Sequence, residues 1–389
     1  MDTRLRSFLT SVAIVFGLGA FFLLPSRTAV EQFINFQQNQ IEKEQITEFV
    51  LQDKSILEND PELQKLVTNQ QDLPLGKVAI KADSVENAQQ IVKQISETDA
   101  SKIEKDVEMQ VYSTLNDPYL SSQSNLTQMG VRSGWDYLSN ISGVKVGVVD
   151  TGVRGSHEDL VNRMVNGYNV LTKSAITGTS NSDDHGHGTK MASAIAATGN
   201  NSKGLAGVAY TASIIPVKAM NSSGTGSASG VATGVIWAAD HGADVVNLSL
   251  GGFDYSQTLH DALQYAVNKG CVVVAASGNE GGSSVSYPAR DALALAVGSV
   301  NSSGNWSSFS NYGSELDVVA PGESIRTASY SSNTSYTTST GTSVATAEVS
   351  GLVALASRWH SGVSESTIRS YIARSAQKLS GMGGSNLTS

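Results

Sequence analysis

Apolar positions along this chain change their spacing several times, and each change marks an element. Residues 8–24 are uncharged and mostly apolar, closed by Pro25 and preceded by Arg4 and Arg6. Residues 30–75 are rich in Gln and Glu with scattered Ile, Phe and Leu, which reads as a polar helical spacer without visible chemistry. At Gly76 the pattern sharpens. Lys77-Val78-Ala79-Ile80-Lys81 alternates as a strand does, and Val85, Ala88, Ile91, Val92 and Ile95 then recur at helical spacing behind Ser84, a good N-cap. Val107, Met109 and Val111 alternate again, so 76–112 forms a small strand-helix-strand unit.

From residue 113 to 389 the pattern is that of a larger domain. Apolar runs at 144–149, 214–217, 245–248, 272–275 and 295–300 predict strands, and the stretches 191–197, 231–239 and 259–267 predict helices between them. Runs that are apolar throughout belong to strands buried on both faces. The expected fold is therefore α/β, three-layered, with a mostly parallel sheet covered by helices on both sides. In such sheets function gathers at the carboxyl ends of the strands. Asp150, Ser249 and Asn279 fall at those ends.

Composition narrows the class. At 389 residues the chain suits one large domain with a smaller partner. Its 37 glycines and 16% charged residues describe a compact, loop-rich core, and the net charge of −9 argues against nucleic acid and other polyanions as partners. Cys271 is the single cysteine, which excludes an intramolecular disulfide; within Gly270-Cys271-Val272-Val273-Val274 it reads as a small buried hydrophobe.

Three motifs carry candidate chemistry. Gly341-Thr342-Ser343-Val344-Ala345-Thr346-Ala347 is a glycine turn that delivers a serine to the start of an apolar helix. A serine hydroxyl is a poor nucleophile without a base and a carboxylate held near it. Asp150 ends the run Val146-Gly147-Val148-Val149 before Thr151-Gly152, and His187 sits in Gly186-His187-Gly188-Thr189. The chain order Asp, His, Ser separates this arrangement from two other triad scaffolds.

These motifs resemble those of the subtilisin-like serine proteases, and most closely the thermitase branch, over about residues 114–380. The resemblance implies a monomeric serine endopeptidase acting through an acyl-enzyme, with Asp150, His187 and Ser343 as its triad. Asn279, in Ala276-Ser277-Gly278-Asn279-Glu280-Gly281, would be the side-chain oxyanion donor. Ser249, Leu250 and Gly251 would line one edge of an extended peptide or protein substrate, and Gly224, Thr225 and Gly226 the other, pairing with it as an added strand. Ala276, Ser277 and Gly278 would form the opposite wall of the specificity pocket, with Ser286 near its base. Small walls favour a large apolar residue before the cut, and Glu280 at the rim could admit Lys or Arg.

The resemblance also implies a calcium site. Asn201 would ligate through its side chain, Thr198, Lys203 and Leu205 through backbone carbonyls, and Asp117 and Asp159 through carboxylates, an all-oxygen set that suits Ca2+. A second calcium site is not expected, because 169–180 contains no carboxylate. Segment 76–112 resembles the later part of a propeptide, an own-chain partner that would assist folding and be cut near residues 110–116 by the enzyme itself. Asn116-Asp117-Pro118-Tyr119 resembles a mature N-terminus. Residues 1–29, with their basic flank, read as a signal peptide or a membrane anchor, so the remainder would be extracytoplasmic, secreted or anchored.

Three departures stand out. Lys190 replaces a His or Cys three residues after the histidine, and Ala347-Glu348 replaces a Pro-His pair. Both lie on the helices that start at the active site, so a buried Lys190–Glu348 ion pair is expected. The family's closing segment and final helix are missing after Ser389, so the chain is a fragment or its domain ends early.

Other classes fit less well. An aspartic protease needs two Asp-Thr-Gly loops, and this chain has one; a dinucleotide binder needs later glycines than Val149-Asp150-Thr151-Gly152 provides. A non-catalytic peptide-binding member of the same fold is the serious rival. Against it, no triad residue or oxyanion donor is lost.

Overall fold

The computed structural model describes residues 38–39, 41–42, 45–99, 102–106, 115–136, 141–359 and 363–377. The apolar stretch 8–24, the alternation at 107–111 and most of the expected processing region lie outside these. Among the described residues no helix is long and apolar enough to cross a membrane. The chain divides into two compact units, Met1–Val111 and Tyr112–Ser389.

The first unit is an antiparallel sheet with a helix. Its strands are β1 (Glu48–Leu51), β2 (Val67–Asp72), β3 (Val78–Ala82) and β4 (Ile103–Lys105), in the order β2-β3-β1-β4. Helix α1 (Val85–Asp99) is capped as its sequence predicts, with the Asn87 N–H donating to Ser84 Oγ at 3.1 Å. Alternation in β3 sends Val78, Ile80 and Ala82 inward, where they join Phe49, Leu51, Ala88, Ile91, Val92 and Ile95. This corrects the reading of 30–75 as a helical spacer. Phe49 and Leu51 belong to a strand paired on both sides, and β2 pairs with β3, so these residues are part of the same sheet as β3. β2 was illegible because five of its six side chains, Thr68 to Asp72, are exposed and polar on both faces.

The second unit has an eight-stranded sheet ordered β12-β11-β10-β9-β5-β8-β6-β7. Its strands are β5 (Lys145–Asp150), β6 (Gly167–Asn169), β7 (Ser174–Ile176), β8 (Ser213–Lys218), β9 (Val245–Leu248), β10 (Val272–Ala276), β11 (Ala294–Val300) and β12 (Val318–Pro321). All neighbours are parallel except β6 and β7. The long helices are α2 (His187–Ala196), α3 (Ala228–Asp240), α4 (Gln257–Asn268), α5 (Thr342–Trp359) and α6 (Glu365–Ser375).

Strand alternation sorts the two faces. Val146, Val148, Val272, Val274, Leu295 and Val297 pack with Met191 and Ile195 of α2 and with Val344, Val349 and Val353 of α5. Val149, Val246, Leu248, Val273, Ala275 and Ala296 pack with Val231 and Val235 of α3 and Leu259 and Leu263 of α4. Every described layer is thus apolar against its neighbour, which is the three-layer expectation. Cys271 is fully buried, its Sγ donating to the Ala243 carbonyl at 2.9 Å, and burial pushes its thiol up to about 12.

Candidate active site

β5 ends on Asp150, and the chain turns at Thr151-Gly152. The Thr151 N–H donates to Asp150 Oδ1 at 2.7 Å. His187 opens α2, and its Nδ1 lies 2.9 Å from each carboxylate oxygen of Asp150. That contact puts the imidazole proton on Nδ1 and leaves Nε2 to accept one. The two backbones touch behind this pair. A Cβ on Gly188 would fall 2.1 Å from the Gly152 carbonyl oxygen, so only glycine fits after the histidine.

The imidazole's environment is divided. Burial works against its charged form, but Asp150, by charge and hydrogen bond, outweighs it with help from Asp183, while Lys190 opposes them. The net result raises His187 above its ordinary value of 6.5.

Ser343 is the second residue of α5. The turn before it requires Gly341, which stands at φ 149° and whose added Cβ would lie only 3.2 Å from Ser343 Oγ. The Ser343 carbonyl accepts from Ser249 Oγ at 2.7 Å, tying the helix start to the segment after β9. Among the described residues Ser343 Oγ makes no hydrogen bond. Asn279 follows β10. Its Oδ1 accepts from the Thr342 N–H at 2.8 Å and from Thr342 Oγ1 at 3.0 Å, which fixes the amide and turns Nδ2 out as a donor.

The residues expected to bind substrate come together in two groups. Ser286 N–H donates to the Ser277 carbonyl at 2.8 Å, and Gly252 exchanges two 2.8 Å hydrogen bonds with Tyr287. A Cβ on Gly251 would meet the Tyr287 carbonyl at 3.1 Å and Ser286 Cβ at 3.2 Å. The segment after β9 thus lies beside Ser286 and Tyr287, and Ser286 is tied in turn to Ser277. The second group, Gly224, Thr225 and Gly226, has Gly224 at φ 73° beside the His185 ring. Glu280 is held by Asn311, whose Nδ2 donates to Oε2 at 2.7 Å and whose Oδ1 accepts the Glu280 N–H at 3.0 Å.

The loop expected to hold calcium is also assembled. Asp117 accepts from the N–H groups of Asn200 and Asn201 at 2.8 and 3.2 Å. Asp159 accepts from Asn201 Nδ2 at 3.0 Å, and from the Leu205 N–H and the Tyr336 hydroxyl at 2.9 Å each. Both carboxylates are buried, and among the described residues neither is ion-paired with a cationic side chain. Burial accordingly pushes Asp159 up. Two buried carboxylates that both bond Asn201, Asp117 its backbone N–H and Asp159 its side-chain amide, offer the oxygen donors that suit a hard dication. The Asn201 oxygen accepts from the Lys203 N–H at 2.8 Å, so this amide would have to turn to ligate.

One expectation fails. Lys190 and Glu348 form no ion pair: Lys190 is half-exposed, and Glu348 is fully buried with Oε1 accepting from Asn125 Nδ2. Glu348 Oε2 has no partner among the described residues. Burial pushes Glu348 well above the usual carboxylate range, which favours its neutral form. Keeping it protonated avoids stripping water from two charges at once.

Sequence reasoning missed Asp183, Thr151 and Asn311, whose side chains organise the loops around the expected residues. Only Asp183 left a signal, as an acidic residue just before a helix start.

The comparisons agree with this geometry. The model of the subtilase family matches residues 141–388. Thermitase from Thermoactinomyces vulgaris is 43% identical over 271 residues, covering 69% of this chain and 94% of thermitase. A protease from Pseudoalteromonas arctica PAMC 21717 superposes with a TM-score of 0.64 at 31% identity, over 68% of this chain and 93% of that one. Fervidolysin from Fervidobacterium pennivorans, described as a keratinolytic enzyme related to subtilisin, superposes with a TM-score of 0.64 at 26% identity, over 87% of this chain and 58% of its own. The chain therefore belongs to the subtilase family and is a subtilisin-like serine endopeptidase.

Proposed function

We propose that Ser343, His187 and Asp150 form the triad of this protease and that Asn279 supplies its side-chain oxyanion donor. Ser343 Oγ attacks the peptide carbonyl as His187 Nε2 takes its proton. Asp150 holds the ring and stabilises its cationic form, and the same proton then passes to the leaving amine. Asn279 Nδ2 donates to the oxygen as it becomes negative, in a position fixed beforehand by Thr342. The observation that carries this reading is the paired contact of His187 Nδ1 with both Asp150 oxygens at 2.9 Å. The small residues Ser249, Gly251, Ala276, Ser277 and Gly278 in these two segments support a large apolar residue before the cleaved bond.

The first unit acts as a propeptide in this proposal. Its separate core and the reach of the fervidolysin likeness over 87% of the chain support that role. The basic-flanked apolar stretch 8–24 supports export. One variant tests both chemistry and maturation. Ser343→Ala is expected to abolish casein hydrolysis and phosphonylation and to accumulate chain uncut near 110–116, read by N-terminal sequencing. Casein hydrolysis at the wild-type rate would end the triad assignment, and normal processing would end self-cleavage.

Calcium bound by Asp117, Asp159, Asn201 and the carbonyls of Thr198, Lys203 and Leu205 would neutralise the two buried carboxylates and stiffen the loop. Removing it with EDTA should lower Tm and hasten self-digestion, and Asp159→Asn should make Tm insensitive to EDTA. An EDTA effect undiminished in that variant would remove the site from this loop.

A further inference from the structure

Asp150 and His187 stand on different elements, the end of β5 and the first residue of α2. Their mutual contact cannot by itself fix both backbones. A second carboxylate lies between them. Asp183 Oδ1 accepts from Thr151 Oγ1 at 2.8 Å and from the N–H groups of His185 and Gly186 at 3.1 and 2.8 Å. Its Oδ2 accepts from the Thr189 N–H at 3.0 Å and from Thr189 Oγ1 at 2.5 Å. All five donors sit beside the triad: one on the residue after the acid, and four on residues within two positions of the base.

Thr151 extends the link. Its Oγ1 also accepts the Gly188 N–H at 2.9 Å, and its own N–H donates to Asp150 Oδ1. Its carbonyl is held at 2.7 Å by Lys218 Nζ, which also reaches the Met220 carbonyl at 3.1 Å and Asp184 at 2.6 Å. The turn after the catalytic acid is thus clamped from both sides, by a buried lysine on one and by Asp183 on the other.

We propose that Asp183 is a positioning residue for catalysis, its carboxylate clipping the Thr151 turn to the start of α2 so that His187 is held in register with Asp150. This rests on the triad reading above. A side chain that only capped a helix would bond N–H groups of α2 alone; Asp183 reaches across to Thr151, in the turn that follows the strand ending on Asp150. Its charge also favours the imidazolium, together with Asp150 and against Lys190, while His185 faces the same ring at 6.4 Å between centroids.

The test uses the mature enzyme on a chromogenic peptide amide, with Asp183→Ala and Asp183→Asn compared over a range of pH. Misplacing a catalytic group by about 1 Å costs about 10²-fold. Asp183→Ala should therefore lose roughly 10–100-fold in kcat, with KM within about twofold. Asp183→Asn keeps one carbonyl oxygen for Thr151 and Gly186 and should recover part of that loss. Both variants should move the acid limb of kcat/KM to lower pH, because removing a negative charge makes the imidazole easier to deprotonate. Lys190→Met should move it the other way. If Asp183→Ala proves unstable, an NMR titration of His187 in Ser343→Ala with and without Asp183→Asn gives the same readout, a lowered imidazole pKa. A lower Tm with unchanged kcat and acid limb would overturn the proposal and leave Asp183 a helix cap, and a raised KM at constant kcat would overturn it too. With wild type active and Ser343→Ala inactive in the same assay, a silent Asp183→Ala sinks this proposal and leaves the triad standing.

Discussion

Two buried carboxyl groups lie behind the same pair of helices and are treated in opposite ways. Asp150 is 1% exposed, and its oxygens meet His187 Nδ1 twice and the Thr151 N–H once. Glu348, five residues along α5 from Ser343, is 0% exposed and among the described residues is met by Asn125 Nδ2 alone, with one oxygen left over. Burial is nearly equal, so burial does not decide the outcome. The number and charge of the donors does. At the helix starts, Asp150, Asp183 and the side-chain oxygen of Asn279 are each supplied with two or more hydrogen bonds. One helical turn deeper Glu348 has one donor among the described residues, and burial pushes it toward its neutral form.

The comparison breaks most sharply if a donor at the reacting end is removed. Asn279→Ala leaves Thr342 without its anchor and the developing oxyanion without Nδ2. Removal of the corresponding donor is known from subtilisin to cost about 10²–10³ in kcat, and the same loss is expected here with KM little changed. Kinetics on a peptide amide would check it. A loss below about threefold would mean that backbone donors alone stabilise the oxyanion and that the fixed amide geometry at Thr342 is incidental.

The contrast also explains what could be read from the sequence. The large sheet was legible because β10 is apolar throughout and β5 and β9 carry apolar side chains on both faces, as strands between two helical layers must. Asp150, His187 and Ser343 were legible because each stands beside glycines that the local geometry requires, Gly152, Gly188 and Gly341. β2 was not, since an edge strand with exposed polar side chains has no period to detect. The fate of Glu348 was not legible either. Helical spacing put it near Lys190, but whether two residues on neighbouring helices meet depends on their rotation, and Asn125, more than 200 positions away, took the contact. Asp183 was visible as an acid before a helix; that it reaches Thr151 is a tertiary fact.

Glu348 gives the smaller and more delicate test. Its folded-state pKa is raised above the ordinary 4.5, so the folded protein holds that proton more tightly than the unfolded chain does. Its contribution is favourable below the unfolded value and is lost as pH rises through the folded one. Glu348→Gln matches the neutral acid in shape, keeps an oxygen for Asn125 and does not titrate. Variant and wild type, both carrying Ser343→Ala to prevent self-digestion, should therefore melt together near pH 4.5 and separate as pH rises, the Gln form becoming the more stable. Each pH unit between the two pKa values is worth about 1.4 kcal/mol, or roughly 2–4 °C of Tm for each kcal/mol in a domain of this size. Calorimetry from pH 4.5 to 9 would follow the divergence. A wild type that became the more stable form at high pH would mean that the carboxylate is charged and answered inside the protein, which would bring Lys190 back as its partner. A constant gap would mean that the folded and unfolded chains release this proton at the same pH, so that burial does not hold Glu348 neutral.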